Sequence, residues 1–504
     1  MFQSTTAVRR GSLLLVTLAL GAAPLVAVPT AAAGSHSAKR WAGYEISRTG
    51  DAAGGWIGGY AIGDTPVFLV TPTRKPNHQG YQRARVVDDL DGRRGASRAQ
   101  TKRAAWILSK YGGYRDAAQA AAVDATVYAV LVGGRFSTSG ALGARRIHQA
   151  PDSATVLRFA RIMLSQSRRH AGPYHARVKA TSADAGGAIE ATVKVTDGHG
   201  RPAAGLPVSV DTPGAPDVEA VTGDNGKAVA RFAVTEPGWH RVTAKVRDVP
   251  EDRLHLRLPV RHGQAAAAEG GVRRTLVAST RAAVRGSQAL GLQASPDTIL
   301  VGSPARVTAT VNGDGTSRTA TGTLYGPFSS ASAAQCSGPA VGTVNRSVSA
   351  DGGYPLPALT PSAPGYYVWR VALQGTPTAL PVAACGAVTT VKALATISVT
   401  ALNPELPAGD NAQVRVGLSG LPHVPAVDLT LTVYGPYGSQ QALTCSGTIA
   451  TSVGQKMNGD GTVTLFPFIE QGGWYALQAT VPPGELRQGS QSSCGALGTV
   501  LHAS

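Results

Sequence analysis

No cysteine occurs before Cys336, and only four occur among the 504 residues. The first two thirds of the chain can therefore form no disulfide, no thiolate metal site and no thiol nucleophile. Aromatic residues (6%) and charged residues (15%) are also sparse, whereas Gly (61) and Pro (32) are plentiful, a balance that suits an extracellular β-rich protein. The apolar share of 43% is ordinary, which excludes a disordered chain. No HExxH, GxSxG, P-loop or CxxC pattern is present, and His78, His148 and His170 are scattered. Asp88, Asp89 and Asp91 cluster in "VVDDLDG" but lack the spacing of a calcium loop. These patterns call for no cofactor and no metal, and nothing in them asks for an enzyme.

Long apolar runs are equally rare. The one at the start follows Arg9 and Arg10, begins near Leu13 and ends in the small residues Ala31–Ala33. That layout is a secretory signal over residues 1–33, with cleavage expected after Ala33. An uncleaved anchor is the alternative, although Pro24 and Pro29 interrupt the run. The ending "GTVLHAS" has no apolar tail and no basic stop-transfer cluster. The expectation is a secreted, extracellular chain without a transmembrane segment once mature, with retention at the cell surface left open.

The net charge of +17 is uneven. Residues 34–172 hold 21 Lys/Arg against 9 Asp/Glu, whereas residues 291–504 hold 8 against 9. A solvated arginine-rich surface, common in high-GC bacteria, accounts for this. So does attraction of the N-terminal third to an anionic polymer or lipid surface. A nucleic-acid partner is not expected.

What is present is a duplication. Cys336 and Cys385 are 49 residues apart, as are Cys445 and Cys494, and the two sets are offset by 109. "TLYGPF" and "QCSGPA" return as "TVYGPY" and "TCSGTI"; "PGYYVWRVAL" returns as "GGWYALQATV". Short alternating runs such as "ARVTATV" and "DLTLTVYG", set between Pro- and Gly-rich turns, predict an antiparallel β-sandwich in each copy, over 291–395 and 396–504. An even cysteine count in each copy favours Cys336–Cys385 and Cys445–Cys494, with cross-copy pairing as the alternative. Each bridge should contribute on the order of 3–4 kcal/mol.

Residues 173–262 predict a further sandwich, with a turn at Gly198–Gly200 and Asn225-Gly226 as a hairpin signal. The "PGWHRVTAKV" segment and its neighbours resemble the bacterial Ig-like domains of invasin-type surface proteins. The stretch 263–290, rich in Ala, Gly and Arg, reads as a linker, with a short helix as the alternative.

Residues 34–172 differ again: short strands up to Pro72, then three helical segments. "SRAQTKRAAWILSKYG" opens on a Ser97 cap and stops at Gly112-Gly113, "RDAAQAAAVDATVYAVLVGG" stops at Gly133-Gly134, and "DSATVLRFARIMLSQSRRHAG" follows Pro151. "VFLVTP", "AAWILSKYG" and "VDATVY", in that order, make the region similar to the thioester domains of Gram-positive and actinobacterial surface adhesins. In that family a strand cysteine and a helix glutamine condense into an internal thioester that captures amines. The resemblance puts the cysteine position at Leu69, the glutamine position at Asp124 and a tryptophan position at Tyr128. Neither reactive residue is present, so the resemblance implies an α+β thioester-like fold without the covalent chemistry.

Asp124 and Tyr128, four residues apart on an alanine-rich helix, share a face. A buried carboxylate costs several kcal/mol unless paired. Asp124 is therefore expected either to hold a partner (an arginine of the same region, Tyr128 or backbone amides) or to lie on the exposed side. Together these readings predict a mainly β, multidomain, non-enzymatic surface or extracellular binding protein, adhesin-like, whose degenerate head sits on an Ig-like stalk and meets an unidentified surface or matrix ligand. A structural envelope or matrix protein is the alternative, and an enzyme using Asp124 is a third.

Overall fold

The computed structural model describes residues 37–48, 55–90, 95–312, 315–421 and 426–504. The expected signal segment and Asp91 lie outside the described residues. The chain divides into two compact units: residues up to 173 with 250–274, and residues 174–249 with 275–504.

In the first unit, strands β1 (Lys39–Glu45), β2 (Trp56–Ile62), β3 (Thr65–Leu69) and β4 (Arg85–Val87) precede four helices. These are α1 (Arg98–Tyr111), α2 (Ala117–Leu131), α3 (Ala141–His148) and α4 (Ser153–His170). β1, β2 and β3 pair as an antiparallel meander, but β3 and β4 are not neighbours. Two strands from much later in the chain, Ala267–Glu269 and Leu254–Arg257, fill the space between them. Leu69 pairs with Ala267, Leu256 with Ala268, and Leu256 also with Arg85, all antiparallel. The sheet of the first unit is therefore completed by residues 250–274.

This corrects the linker assigned to 263–290 and the continuous sandwich assigned to 173–262. Ala265, Ala266, Ala267 and Ala268 are each 0% exposed. Alanine runs favour helix on propensity, but here small side chains are what let α1 close down on the sheet. Gly112, just past α1, and Gly270 touch backbone to backbone; a Cβ on Gly270 would sit 2.4 Å from the Gly112 carbonyl oxygen. Ser109 Oγ donates to the Val272 carbonyl at 2.6 Å and accepts from the Glu251 amide at 2.9 Å, holding both ends of the inserted segment.

The helices follow the expected punctuation. The Ser97 hydroxyl accepts from the Gln100 amide at 3.3 Å and the Gln100 side chain accepts from the Ser97 amide at 2.8 Å, a complete capping box. Asp116 caps α2 by accepting from the Gln119 amide at 2.7 Å. α2 is apolar all round, and every side chain from Ala120 to Tyr128 is buried. Such a helix belongs in the middle of a core. It packs against β1, β2 and β3 and against α1, α3 and α4.

The second unit contains three β-sandwiches. In the first, a sheet of 227–233, 188–196 and 175–180 faces one of 183–184, 273–285, 238–250, 207–212 and 215–221. Residues 273–285, also placed in the linker, are thus a 13-residue strand within a sheet. Asn225-Gly226 does form a tight turn, with Gly226 at φ +70° and the Asn225 side chain accepting from Lys227 N at 2.9 Å. It is not a hairpin, however: strands 215–221 and 227–233 belong to different sheets, so this turn carries the chain across the sandwich.

The duplicated modules match the expected sandwiches. Strands 318–328 and 365–373 pair in one as 427–437 and 473–481 pair in the other. Disulfides join Cys336 to Cys385 and Cys445 to Cys494, within each copy. A buried tyrosine at the start of the central strand repeats too: Tyr367 donates to the Ala363 carbonyl and Tyr475 to the Gln471 carbonyl, at 2.8 and 2.6 Å. Each module carries its own apolar cluster, around Trp369 in one and Tyr475 in the other. Successive sandwiches also share strand pairing. Gly286 exchanges hydrogen bonds with Thr378 and Leu380, and Ala393–Leu394 pairs in parallel with Arg487–Gln488.

Two outcomes follow. A fragment ending at residue 173 lacks the middle of its sheet and should unfold gradually on heating; adding the peptide 250–274 should restore a cooperative transition by circular dichroism. A sharp transition in the fragment alone would show that the inserted strands are dispensable. Replacing Cys336 and Cys385 by serine should lower that module's stability by about 4 kcal/mol, the entropy of a 49-residue loop, measured by denaturant unfolding of the module.

Candidate functional site

The two positions singled out by the thioester resemblance lie on elements that pack together, β3 and α2. Leu69 is 1% exposed and belongs to an apolar cluster with Tyr60, Val67, Tyr128, Phe136 and Ala267. Asp124 is 2% exposed, so the exposed alternative does not hold. Its Oδ2 accepts from Arg146 Nη2 at 2.6 Å, and both side chains are 3% exposed. The expected arginine partner is therefore present, on α3, an element the sequence reading did not find.

Arg146 is itself placed with care. The same Nη2 donates to the Trp56 carbonyl of β2 at 3.1 Å, and the guanidinium carbon lies 5.2 Å from the centre of the Tyr128 ring. Tyr128 thus faces the cation, and stacking on a ring suits guanidinium. Tyr60 borders the pair. Burial pushes its phenol well above the ordinary value, the Asp124 charge pushes it further, and Arg146 and Arg40 pull it back. The four side chains form a charge-neutral polar island inside an otherwise apolar core. Isolated ionised groups could not be buried this way, whereas a paired and hydrogen-bonded set can.

α3 escaped notice because it is two turns long and arginine-rich. Its signals were Gly143 and Ile147, four residues apart and both buried, which bracket Arg146. The sequence carries no local signal for a cleft. Just beyond Leu69 the structure opens into a cavity of about 600 Å³, lined by Val70–Arg74, by Leu131 and Val132 at the end of α2, and by Leu258–Val260 and His262–Gln264 of the inserted segment. Its size falls in the range of small-molecule pockets. One side of its wall is contributed by the inserted segment, far away in sequence, which is why local pattern does not reveal it.

Among the described residues no group of three or more His, Cys, Asp or Glu could hold a metal ion. No described helix is long and apolar enough to cross a membrane.

The fold that frames this site is a mostly β, multidomain architecture of Ig-like sandwiches preceded by an α+β unit. No protein-family model matches the sequence, and no curated protein matches it. Solved structures do. A tetra-tandem repeat from the extending region of a large adhesion protein is 14% identical, with a TM-score of 0.31, covering 66% of this chain and 75% of that one. The Escherichia coli adhesin FdeC is 18% identical, with a TM-score of 0.28, covering 66% and 99%. Invasin, a bacterial integrin-binding protein, is 17% identical, with a TM-score of 0.25, covering 64% and 60%.

The buried pair has a measurable signature. Asp124→Asn strands the Arg146 charge and should destabilise the first unit by about 3–5 kcal/mol. Asp124→Leu with Arg146→Met should recover most of that loss. Hydrogen exchange at the α2 amides reads the difference directly. Equal protection in the wild type and in Asp124→Asn would mean that the pair contributes nothing.

Proposed function

We propose that the chain is a secreted, non-enzymatic binding protein of adhesin type, in which the first unit is a noncovalent recognition module derived from a thioester-like fold and the sandwiches are its support. One observation carries this reading: the side chains at Leu69 and Asp124 are withdrawn into core contacts, 1% and 2% exposed, so neither is available to react with an external amine. The same withdrawal weighs against an enzyme built on Asp124, since an acid–base group must reach its substrate. The open cleft beyond Leu69 and the excess of positive charge supply what noncovalent recognition needs: shape and field.

A structural role in the envelope or matrix is the second reading. It is favoured by the repeated strand pairing at Gly286–Ala379 and Ala393–Arg487, which joins successive sandwiches without a free linker.

Labelled chain 34–504 and labelled fragment 291–504, the two disulfide modules, separate these readings. Each is added to bacterial cells, purified envelope polymers and common matrix proteins. Recognition by the first unit requires that the long chain bind and the module pair bind at least about tenfold more weakly, a difference of 1.4 kcal/mol. Equal binding of the two would leave the structural role standing.

A further inference from the structure

Helices α1, α3 and α4 carry ten Lys or Arg residues and no Asp or Glu. Soluble surfaces normally mix the two signs. The imbalance is most concentrated on α4. There Arg158, Arg161, Arg168 and Arg169 are all exposed, with Ser165 between them. Arg158, Arg161 and Arg168 follow at spacings of three and seven and Arg169 is eleven from Arg158, so all four fall on one face, along about 16 Å of helix at 1.5 Å per residue. The opposite face, with Val156, Ala160, Met163 and Ser167, is buried against the unit.

Like charges crowd at the edge of this row. Arg103 of α1 donates through Nε to Ser167 Oγ at 3.4 Å, and its guanidinium is made less basic by burial and by the charge of Arg168. A folded unit that gathers cations in this way works against their mutual repulsion. An anionic partner would relieve it.

From this arrangement we infer that the arginine face of α4 is a docking surface for an acidic polysaccharide, a polymer with a carboxylate on successive sugars. The inference rests on reading the first unit as a recognition module, and it names that module's partner. Guanidinium pairs with carboxylate through two parallel hydrogen bonds, which suits a row of arginines facing a row of acids. A membrane surface fits less well. A helix that lies on lipid needs a broad exposed apolar face, whereas the apolar face of α4 is turned inward and Ile162 is the large aliphatic residue left exposed beside the arginines. Single-stranded nucleic acid fits less well too. Base stacking needs exposed aromatic rings, and Phe159, the one aromatic residue on α4, is half-buried with Arg158 lying 5.4 Å from its ring centre. The disulfides of the chain also belong to an oxidising compartment rather than the cytosol.

The test uses the full chain with alginate as the polyuronate and dextran as the neutral control. Alginate should bind and raise the unfolding temperature of the first unit, dextran should do neither, and added salt should weaken binding progressively. The triple change Arg158→Gln, Arg161→Gln and Arg169→Gln should cost about 30-fold in affinity, roughly threefold per guanidinium. A triple change of equal charge elsewhere on the unit, Arg48→Gln, Arg83→Gln and Arg85→Gln, should cost less than about threefold if the surface is local rather than a diffuse field. Equal losses in the two triples overturn the proposal, as does preferential binding of single-stranded DNA or anionic vesicles over alginate. Should the full chain bind cells while ignoring alginate, the arginine face falls and the recognition module stands; binding to nothing overturns both.

Discussion

The first unit depends on a loan of backbone. β3 and β4 present facing edges with a gap between them, and strands 254–257 and 267–269 supply the hydrogen bonds that fill it. An open edge in the middle of a sheet would leave a row of unpaired amides and carbonyls beneath the helical layer, where each costs of order 1–3 kcal/mol. Everything the unit presents depends on this closure. The seat of α1 is set by the Gly112–Gly270 contact, and the cleft beyond Leu69 takes one wall from Leu258–Val260 and His262–Gln264.

Within that frame, α2 sets the chemistry. A helix buried on every side has no polar face on which to place a carboxylate, so the charge of Asp124 had to be answered inside the core. Arg146 answers it from α3, and the Trp56 carbonyl and the Tyr128 ring occupy more of the guanidinium surface. Such a pair specifies how α3 docks on α2, because any other register would leave two charges without partners. The consequence for function is subtraction: the polar group at the heart of the unit is spent on structure.

The parts legible in the sequence were those whose signals are local or repeated. The 109-residue offset disclosed the tandem sandwiches and both disulfides. Ser97 and Gln100 disclosed the start of α1, and the burial cost of a lone carboxylate narrowed Asp124 to a paired or an exposed position, of which the structure shows the paired one. What failed was non-local. Ala265–Ala268 shows no alternation because both faces of that strand are covered, and one of its two partner strands lies nearly two hundred residues earlier. Asn225-Gly226 marks a turn truthfully, but a turn signal cannot say whether its strands pair or part. α3 was too short for its periodicity to stand out, although it carries the residue that completes the buried pair. In the candidate site, therefore, one member of each interaction was visible and the other was not.

The inserted strands also impose an order on folding. During synthesis, β1 to β4 and all four helices are complete long before residue 267 exists to pair with Leu69. Until then the incomplete sheet exposes an edge able to pair with any extended segment nearby, and the loop to be closed is among the longest in the chain. The N-terminal unit is thus the first to be begun, and it stays open until the strand 267–269 has been made. Its lifetime as an open intermediate is set by how fast the next hundred residues arrive, so delays between residues 173 and 274 put the yield of the whole molecule at risk.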